Sequence, residues 1–143
     1  MRRLALQGLL VAIFLSMGAL AQTSFNYAAI NVPGAKMTVA NGINNSNVIV
    51  GSYVPNGSTH TYGFRLHSGA YSKISVPNST RTSAGGINDY GDVVGTYSLP
   101  GTTSQPANSH GFLLHAGVYK TINCPNGKFT SARSINKYGE IVG

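Results

Sequence analysis

The chain has 143 residues, of which ten are Lys or Arg and three are Asp or Glu, and its formal net charge is +7. This length allows one domain or part of one. The basic residues are scattered without a run, which argues against a nucleic-acid-binding surface. A single cysteine excludes an internal disulfide.

The first residues of the chain have the pattern of an export signal. Arg2 and Arg3 precede an uncharged apolar stretch, and residues 19–21 (Ala-Leu-Ala) fit the small-x-small pattern of a cleavage site. A membrane anchor is the alternative, because the apolar stretch is at the lower limit for crossing a bilayer. The cleavage pattern favours a signal peptide at residues 1–21. It predicts a secreted or periplasmic domain at residues 22–143, with no membrane span after cleavage.

The rest of the chain repeats itself. Tyr27, Tyr71 and Tyr119 mark the same position of successive copies and are 44 and 48 residues apart. The extra residues of the longer interval fall within residues 98–109, as expected for a loop between fixed elements. A period of this length predicts stacked or radially arranged repeats. The copies are residues 22–45 (partial), 46–88, 89–136 and 137–143 (truncated).

Each copy contains four short segments with the composition of β-strands, and no segment has helical periodicity. The segments are rich in β-branched and aromatic residues and are separated by Gly, Pro and Asn. We therefore predict an all-β fold of repeated four-stranded antiparallel units, propeller-like, with about two and a half blades. A β-solenoid or prism of stacked hairpins is the alternative. In one copy the predicted strands are residues 48–53, 63–66, 71–76 and 82–87.

Several spaced motifs recur together in these copies. Gly-Ile-Asn at residues 42–44 and 86–88 precedes Val-Gly-(Ser/Thr)-Tyr, and the triplet His110-Gly111-Phe112 follows. The pattern resembles the HAF-type extracellular repeats of bacteria, which are named for a His-Ala-Phe motif. Residues 62–64 (Tyr-Gly-Phe) match that motif more loosely. The resemblance covers residues 26–143 and implies a secreted β protein built from repeats. It implies no activity, substrate or catalytic residue.

The sequence predicts no catalytic, cofactor-binding or metal site. The three acids occur one per turn, whereas a glycosidase needs two acids close together. A calcium loop at residues 88–92 is disfavoured, because the corresponding turn of the next copy places Lys137 among the ligands. The four histidines lack the spacing of a zinc site. The acids are Asp89, Asp92 and Glu140, and the histidines are His60, His67, His110 and His115.

The single cysteine is predicted to be structural. Cys124 occupies the position that Val32 and Val76 hold in earlier copies, just before a proline. The match predicts a small apolar residue packed in a strand, rather than a catalytic thiol.

Recurring aromatic residues are the feature that points toward binding. Tyr53, Tyr97 and His110 are the ligand-binding candidates, because Tyr stacks well on sugars and peptides. Tyr90 and Tyr138 recur at turns. The competing interpretation is that these rings cover the blade edges. We predict a non-catalytic binding or structural module for an extracellular polysaccharide or protein, with residues 98–109 as one binding surface.

Two other functions remain open at this stage. The chain stops within a motif at residues 140–143, and a propeller needs at least four blades. It is therefore expected to be a fragment of a longer protein, such as a propeller-type carbohydrate-active enzyme with its catalytic residues elsewhere, or a truncated gene remnant. Open edge strands also predict self-association.

Overall fold

The structure is a computed structural model that describes residues 26–101 and 109–143. The predicted signal peptide at residues 1–21 lies outside the described residues, and so do residues 102–108 of the predicted binding loop. The described part of the chain is all-β and contains no helix. The predicted all-β class and its four-stranded antiparallel units are confirmed.

The strands form sheets in simple chain order. The first sheet has the order β1-β2-β3-β4 and the second the order β5-β6-β7-β8, while β9 and β10 pair with each other. All of these pairings are antiparallel. The strands are β1 Ala35–Ile43, β2 Ile49–Pro55, β3 Tyr62–His67, β4 Ala70–Ile74, β5 Arg81–Ile87, β6 Val93–Ser98, β7 Ser109–His115, β8 Val118–Ile122, β9 Ser134–Ile135 and β10 Ile141–Val142.

The sheets begin one strand earlier than the sequence repeat suggests. Residues 82–87, predicted as the last strand of one copy, lie in β5, the first strand of the second sheet. The reason is the hairpin that follows them, because β5 turns directly into β6 and pairs with it along its whole length. The connection from β4 to β5 contains Pro77 and leads from one sheet to the next.

Two-residue turns close the outer hairpin of each sheet. Ser68 and Gly69 join β3 to β4 with φ of 49° and 80°, and Ala116 and Gly117 join β7 to β8 with φ of 48° and 81°. Positive φ at both central residues is the geometry of the type I′ turn, whose twist matches that of paired strands. The tight glycine turns predicted at these places are confirmed.

A threonine fixes the chain where it passes from one sheet toward the next. The Oγ1 atom of Thr82 accepts a hydrogen bond from the backbone N–H of Val76, at 3.1 Å. Thr38 and Thr130 accept the same bond from the residues that precede Pro33 and Pro125. This bond explains why proline and threonine recur five residues apart.

The two full sheets stack face to face around the main core and do not close on themselves within the described residues. Val50 and Ile74 of the first sheet pack against Val93 and Phe112 of the second. A smaller core joins the opposite face of the second sheet to β9 and β10. Its members are Val94, Ala132 and Ile135, with Leu113, Ile122 and Ile141 packed against them.

The prediction for Cys124 is wrong. Val76, its counterpart, is buried in the core between the sheets, but Cys124 is exposed and lies beyond the end of β8. The second sheet covers Val76, whereas β9 and β10 cover Val94 and Ile122 without reaching Cys124. The same position in the repeat therefore has a different environment.

The sheets approach each other most closely at their first strands. A Cβ atom on Gly42 would lie 3.2 Å from the Cα of Gly86, and one on Gly86 would lie 2.9 Å from the Cα of Ser134. The last strands lie farther apart, since beyond β4 the hydroxyl of Tyr119 spans the gap and accepts the backbone N–H of Ser75 at 3.1 Å. The spacing between the two sheets therefore increases from their first strands to their last strands.

Candidate functional site

The three asparagine turns that join the first two strands of each sheet lie side by side. We call residues 44–48, 88–92 and 136–140 together the turn edge. In each turn the asparagine Oδ1 accepts two backbone N–H groups, as Asn88 does from Tyr90 and Asp92 at 3.0 and 2.9 Å. Asn44 and Asn136 make the same pair of bonds. The side chain closes the turn by itself, which is why asparagine recurs there.

Hydrogen bonds also connect each turn to the next. The Nδ2 of Asn44 donates to the carbonyl of Asn88 at 3.0 Å, and the Nδ2 of Asn88 donates to that of Asn136 at 3.4 Å. The first pair of turns has a second link, because both the backbone N–H and Nδ2 of Asn45 donate to the carboxylate of Asp89, at 3.0 and 2.7 Å. The turn edge is thus a row of tethered loops rather than three independent ones.

Two tyrosine rings project from this tethered row. Tyr90 is 80% exposed and Tyr138 is 77% exposed, and they hold the same position in neighbouring turns. Their backbone N–H groups are bound by Asn88 and Asn136, so their Cα positions are fixed. The Nζ of Lys137 lies 4.9 Å from the centroid of the Tyr138 ring. Exposed rings on a fixed backbone are suited to stacking on a ligand.

The middle turn carries an additional ionic contact. The Nδ1 of His115 donates to Oδ1 of Asp92 at 2.6 Å, with the side chains 61% and 16% exposed. Burial by itself would raise the pKa of the Asp92 carboxyl. Hydrogen bonds from Asn88 and His115, together with the charge of His115, outweigh burial and lower that pKa below its ordinary value. The contact ties the β7–β8 turn to the turn edge.

The structure places Tyr97 and His110 together, on β6 and β7. Their ring centroids are 5.3 Å apart. The Tyr97 hydroxyl hydrogen-bonds Thr121 at 2.9 Å, and the Nδ1 of His110 contacts Oδ1 of Asn123 at 2.8 Å. Tyr97 is only 8% exposed and belongs to the core between the sheets. Its ring is therefore occupied by packing between the sheets.

Tyr53 lies at the corresponding place in the first sheet, against Tyr62. Their centroids are 5.8 Å apart, and the Nζ of Lys73 lies 4.7 Å from the Tyr62 centroid. Burial, with a smaller contribution from Tyr62, raises the pKa of the Tyr53 hydroxyl. Tyr62 stands where His110 stands in the next copy, so the ring contact survives the exchange. The His of the triplet thus acts as a packing ring in this fold.

A polar groove that the sequence did not indicate runs across the first strands of the sheets. We call it the strand groove. Its volume is about 480 Å³, and it lies beside β1, β5 and the residues that precede β9. The Oγ1 of Thr96 donates to Oγ of Ser131 at 2.9 Å within it, and the Nδ2 of Asn41 donates to the carbonyl of Ala84 at 2.8 Å. It is lined by Asn41, Ser83, Gly85, Thr96, Ser131, Ala132 and Arg133.

The repeat alignment contained one signal of this groove. Asn41, Gly85 and Arg133 occupy the same position in successive copies, between positions that are always Ala and always Ile. In the structure the register of the first hairpin of each four-stranded sheet shifts at this position, so Asn41 and Gly85 are the extra residues of β-bulges. Sequence reasoning missed the site because only the stacking of the sheets brings the three positions together.

The acids and histidines are dispersed over the described residues. No group of three or more His, Cys, Asp or Glu side chains that could hold a metal ion occurs in residues 26–101 and 109–143. Each acid contacts its own turn or the neighbouring one, as Asp89 does with Asn45, Asp92 with Asn88 and Glu140 with Asn136. Asp92 also contacts His115 at the end of β7.

Comparison with known proteins gives no relative. No protein-family model matches the chain, and no curated protein or solved structure is significantly similar to it. Within the part of the chain that the structure describes, no helix is long and apolar enough to span a membrane.

Proposed function

We propose that this chain is an exported, non-catalytic repeat module of the HAF type that binds an extracellular polysaccharide along its turn edge. The observation that carries the proposal is the pair of exposed rings, Tyr90 and Tyr138, on turns that are hydrogen-bonded to each other. A flexible polymer is held best by a surface that needs no ordering of its own.

The exposure of these rings has no structural explanation within the fold. The tyrosines of the sheets pack against other aromatic rings, as Tyr71 does on Phe64 and Tyr119 on Phe112. Tyr90 and Tyr138 are instead largely in water. A rigid aromatic side chain provides a large contact area at low cost in conformational entropy. Equivalent positions in successive turns suit a ligand that is itself a repeating chain.

The increase in spacing from the first to the last strands of the sheets supports a propeller-like arrangement over a stacked solenoid. A propeller blade narrows toward the axis, so its first strands approach their neighbours more closely than its last strands do. The glycine contacts between β1, β5 and Ser134, and the wider gap spanned by Tyr119, follow that gradient. In a propeller the strand groove would face the central axis, and the turn edge would lie at one end of that axis.

The proposal is tested with the protein recovered from the secreted or periplasmic fraction, where cleavage should leave Gln22 as its first residue. Retention with insoluble polysaccharides and a glycan array identify the ligand. Replacing both rings, Tyr90→Ala with Tyr138→Ala, should then weaken binding at least about fivefold, since each stacked ring contributes about 0.5–1.5 kcal/mol.

Tyr27→Ala is the matched control, because that tyrosine is 92% exposed but lies outside the turn edge. It should leave binding unchanged. Retention no better than background on every polysaccharide, or equal losses in the control and the double variant, would contradict the proposal. Capture of an extracellular protein that depends on the same two rings would replace the polysaccharide with a protein ligand.

A further inference from the structure

The strand groove has a chemical character that the turn edge lacks. Arg133 is its one charged lining residue, and the other lining side chains that carry polar atoms are two serines, a threonine and an asparagine. Arg133 is exposed, and its backbone N–H is already bound to the carbonyl of Val142 at 2.8 Å. Its guanidinium forms no hydrogen bond or ion pair with the described residues, which leaves the N–H donors available to a ligand.

No side-chain carboxylate of the described residues forms an ion pair with this guanidinium. Asp89, Asp92 and Glu140 bond to groups of the turn edge, and none of them lines the groove. A guanidinium with five N–H donors and no acid partner favours an anion in front of it.

The hydroxyl groups of the groove suit the uncharged part of the same ligand. Ser83 and Ser131 occupy equivalent positions on successive copies, one strand position from Ala84 and Ala132. Ser131 is already oriented by the bond from Thr96. Hydroxyl and amide groups can both donate to and accept from sugar hydroxyls, whereas the planar fork of arginine matches a carboxylate with two parallel bonds.

We propose that the strand groove binds an acidic sugar residue, with its carboxylate on Arg133 and its hydroxyls on the serines. This inference rests on the proposed function and specifies its ligand as a uronate-containing polysaccharide. The groove residue of each copy lies three positions before the turn asparagine, about 10 Å along a strand. One polymer can therefore contact the groove and the turn edge together.

The experiment compares one polymer with and without its charge. Polygalacturonate and its fully methyl-esterified form share a backbone, but only the first carries free carboxylates. At physiological salt, wild-type protein should bind the free acid on the order of tenfold more tightly than the ester, as expected for one charge-assisted contact. Arg133→Gln should abolish this preference, and Arg133→Lys should restore part of it because the charge returns without the fork.

Lys120→Gln is the matched control for net charge, because Lys120 is an exposed strand residue outside the groove. It should change the preference less than twofold. Equal effects of Arg133→Gln and Lys120→Gln would overturn the inference, since the preference would then reflect overall charge. Arg133-dependent binding of dextran sulfate as tight as that of polygalacturonate would also overturn it, by showing a site for any anion.

The two proposals fail in distinguishable ways. If the turn-edge variants lose binding to both polymers while Arg133→Gln has no effect, the groove inference is wrong and the proposed function stands. If the turn-edge variants bind as the wild type does while Arg133→Gln loses the preference for the free acid, the turn edge does not bind the polysaccharide and the strand groove is the binding site. Thermal unfolding of each variant verifies that it is folded.

Discussion

At the scale of single residues, two glycines explain why valine-glycine recurs opposite glycine-phenylalanine. Gly51 pairs with Phe64, and Gly95 pairs with Phe112, on adjacent strands. Each phenylalanine ring lies across its glycine and is fully buried. A Cβ atom on Gly95 would collide with the carbonyl of Ser83 and lie 2.7 Å from the Phe112 ring. The glycine is required for space and not for backbone conformation.

Gly95→Ala is therefore expected to lower the free energy of unfolding by about 1–3 kcal/mol or more, the usual cost of overpacking a core. Chemical denaturation measures it. The comparison variant is Gly57→Ala, where a Cβ atom meets nothing within 4 Å but φ is +72°. Its cost should stay at about 1–2 kcal/mol, the strain of a left-handed residue. A Gly95→Ala variant as stable as the wild type would show that the ring does not pack as described.

At the scale of elements, the asparagine turns combine folding and presentation. Each turn closes on its own side chain, so the sequence of the other turn residues is free to vary. The first turn has Ser46 where the others have an exposed tyrosine, and the middle turn adds the contact between Asp92 and His115. One backbone design thus carries three different surfaces.

The lowered pKa of Asp92 predicts a pH dependence of stability. Folding favours the ionised carboxylate, so its contribution is fully present above the ordinary value of 3.8 and is lost as the pH falls through the lower value of the folded chain. The melting temperature of the wild type should exceed that of Asp92→Asn at neutral pH. The difference should vanish at a pH below the lowered pKa of Asp92. His115→Ala should reduce the same difference. A gap between wild type and Asp92→Asn that persists or widens in acid would contradict this assignment.

At the scale of the whole molecule, the repeat produces contacts between sheets as well as within them. The Tyr119 hydroxyl reaches the backbone of Ser75, and the sheets enclose one main core. Sheets joined in this way should unfold together.

Tyr119→Phe removes the hydrogen bond to Ser75 and should lower the free energy of unfolding by about 0.5–1.5 kcal/mol, the net value of one hydrogen bond. Tyr71 offers a matched control, because it packs on Phe64 as Tyr119 does on Phe112, while its hydroxyl forms no hydrogen bond with the described residues. Tyr71→Phe should therefore be close to neutral. Equal losses in the two variants would mean that the hydroxyl of Tyr119 does not join the sheets.

Part of the candidate site could be read from the sequence and part could not. The tyrosines of the turns were visible because the turn motif recurs around them. The sequence also predicts Tyr53, Tyr97 and His110 as binding candidates, because aromatic rings recur at these positions, but Tyr97 is packed in the core. The sequence does not predict the strand groove, because its lining residues come from different copies of the repeat and only the packing of the sheets brings them together.

The sequence by itself determined the β-strands, the tight turns and the repeated bonds of asparagine and threonine, because each depends on residues within about six positions of one another. Only the tertiary structure decided which strand opens a sheet, which rings are buried and where the groove lies. Val76 and Cys124 show the reason. Their places in the repeat are the same. The second four-stranded sheet covers Val76, whereas the two short strands β9 and β10 do not reach Cys124. Burial of a residue depends on the element that packs against it, and the local sequence pattern does not specify that element.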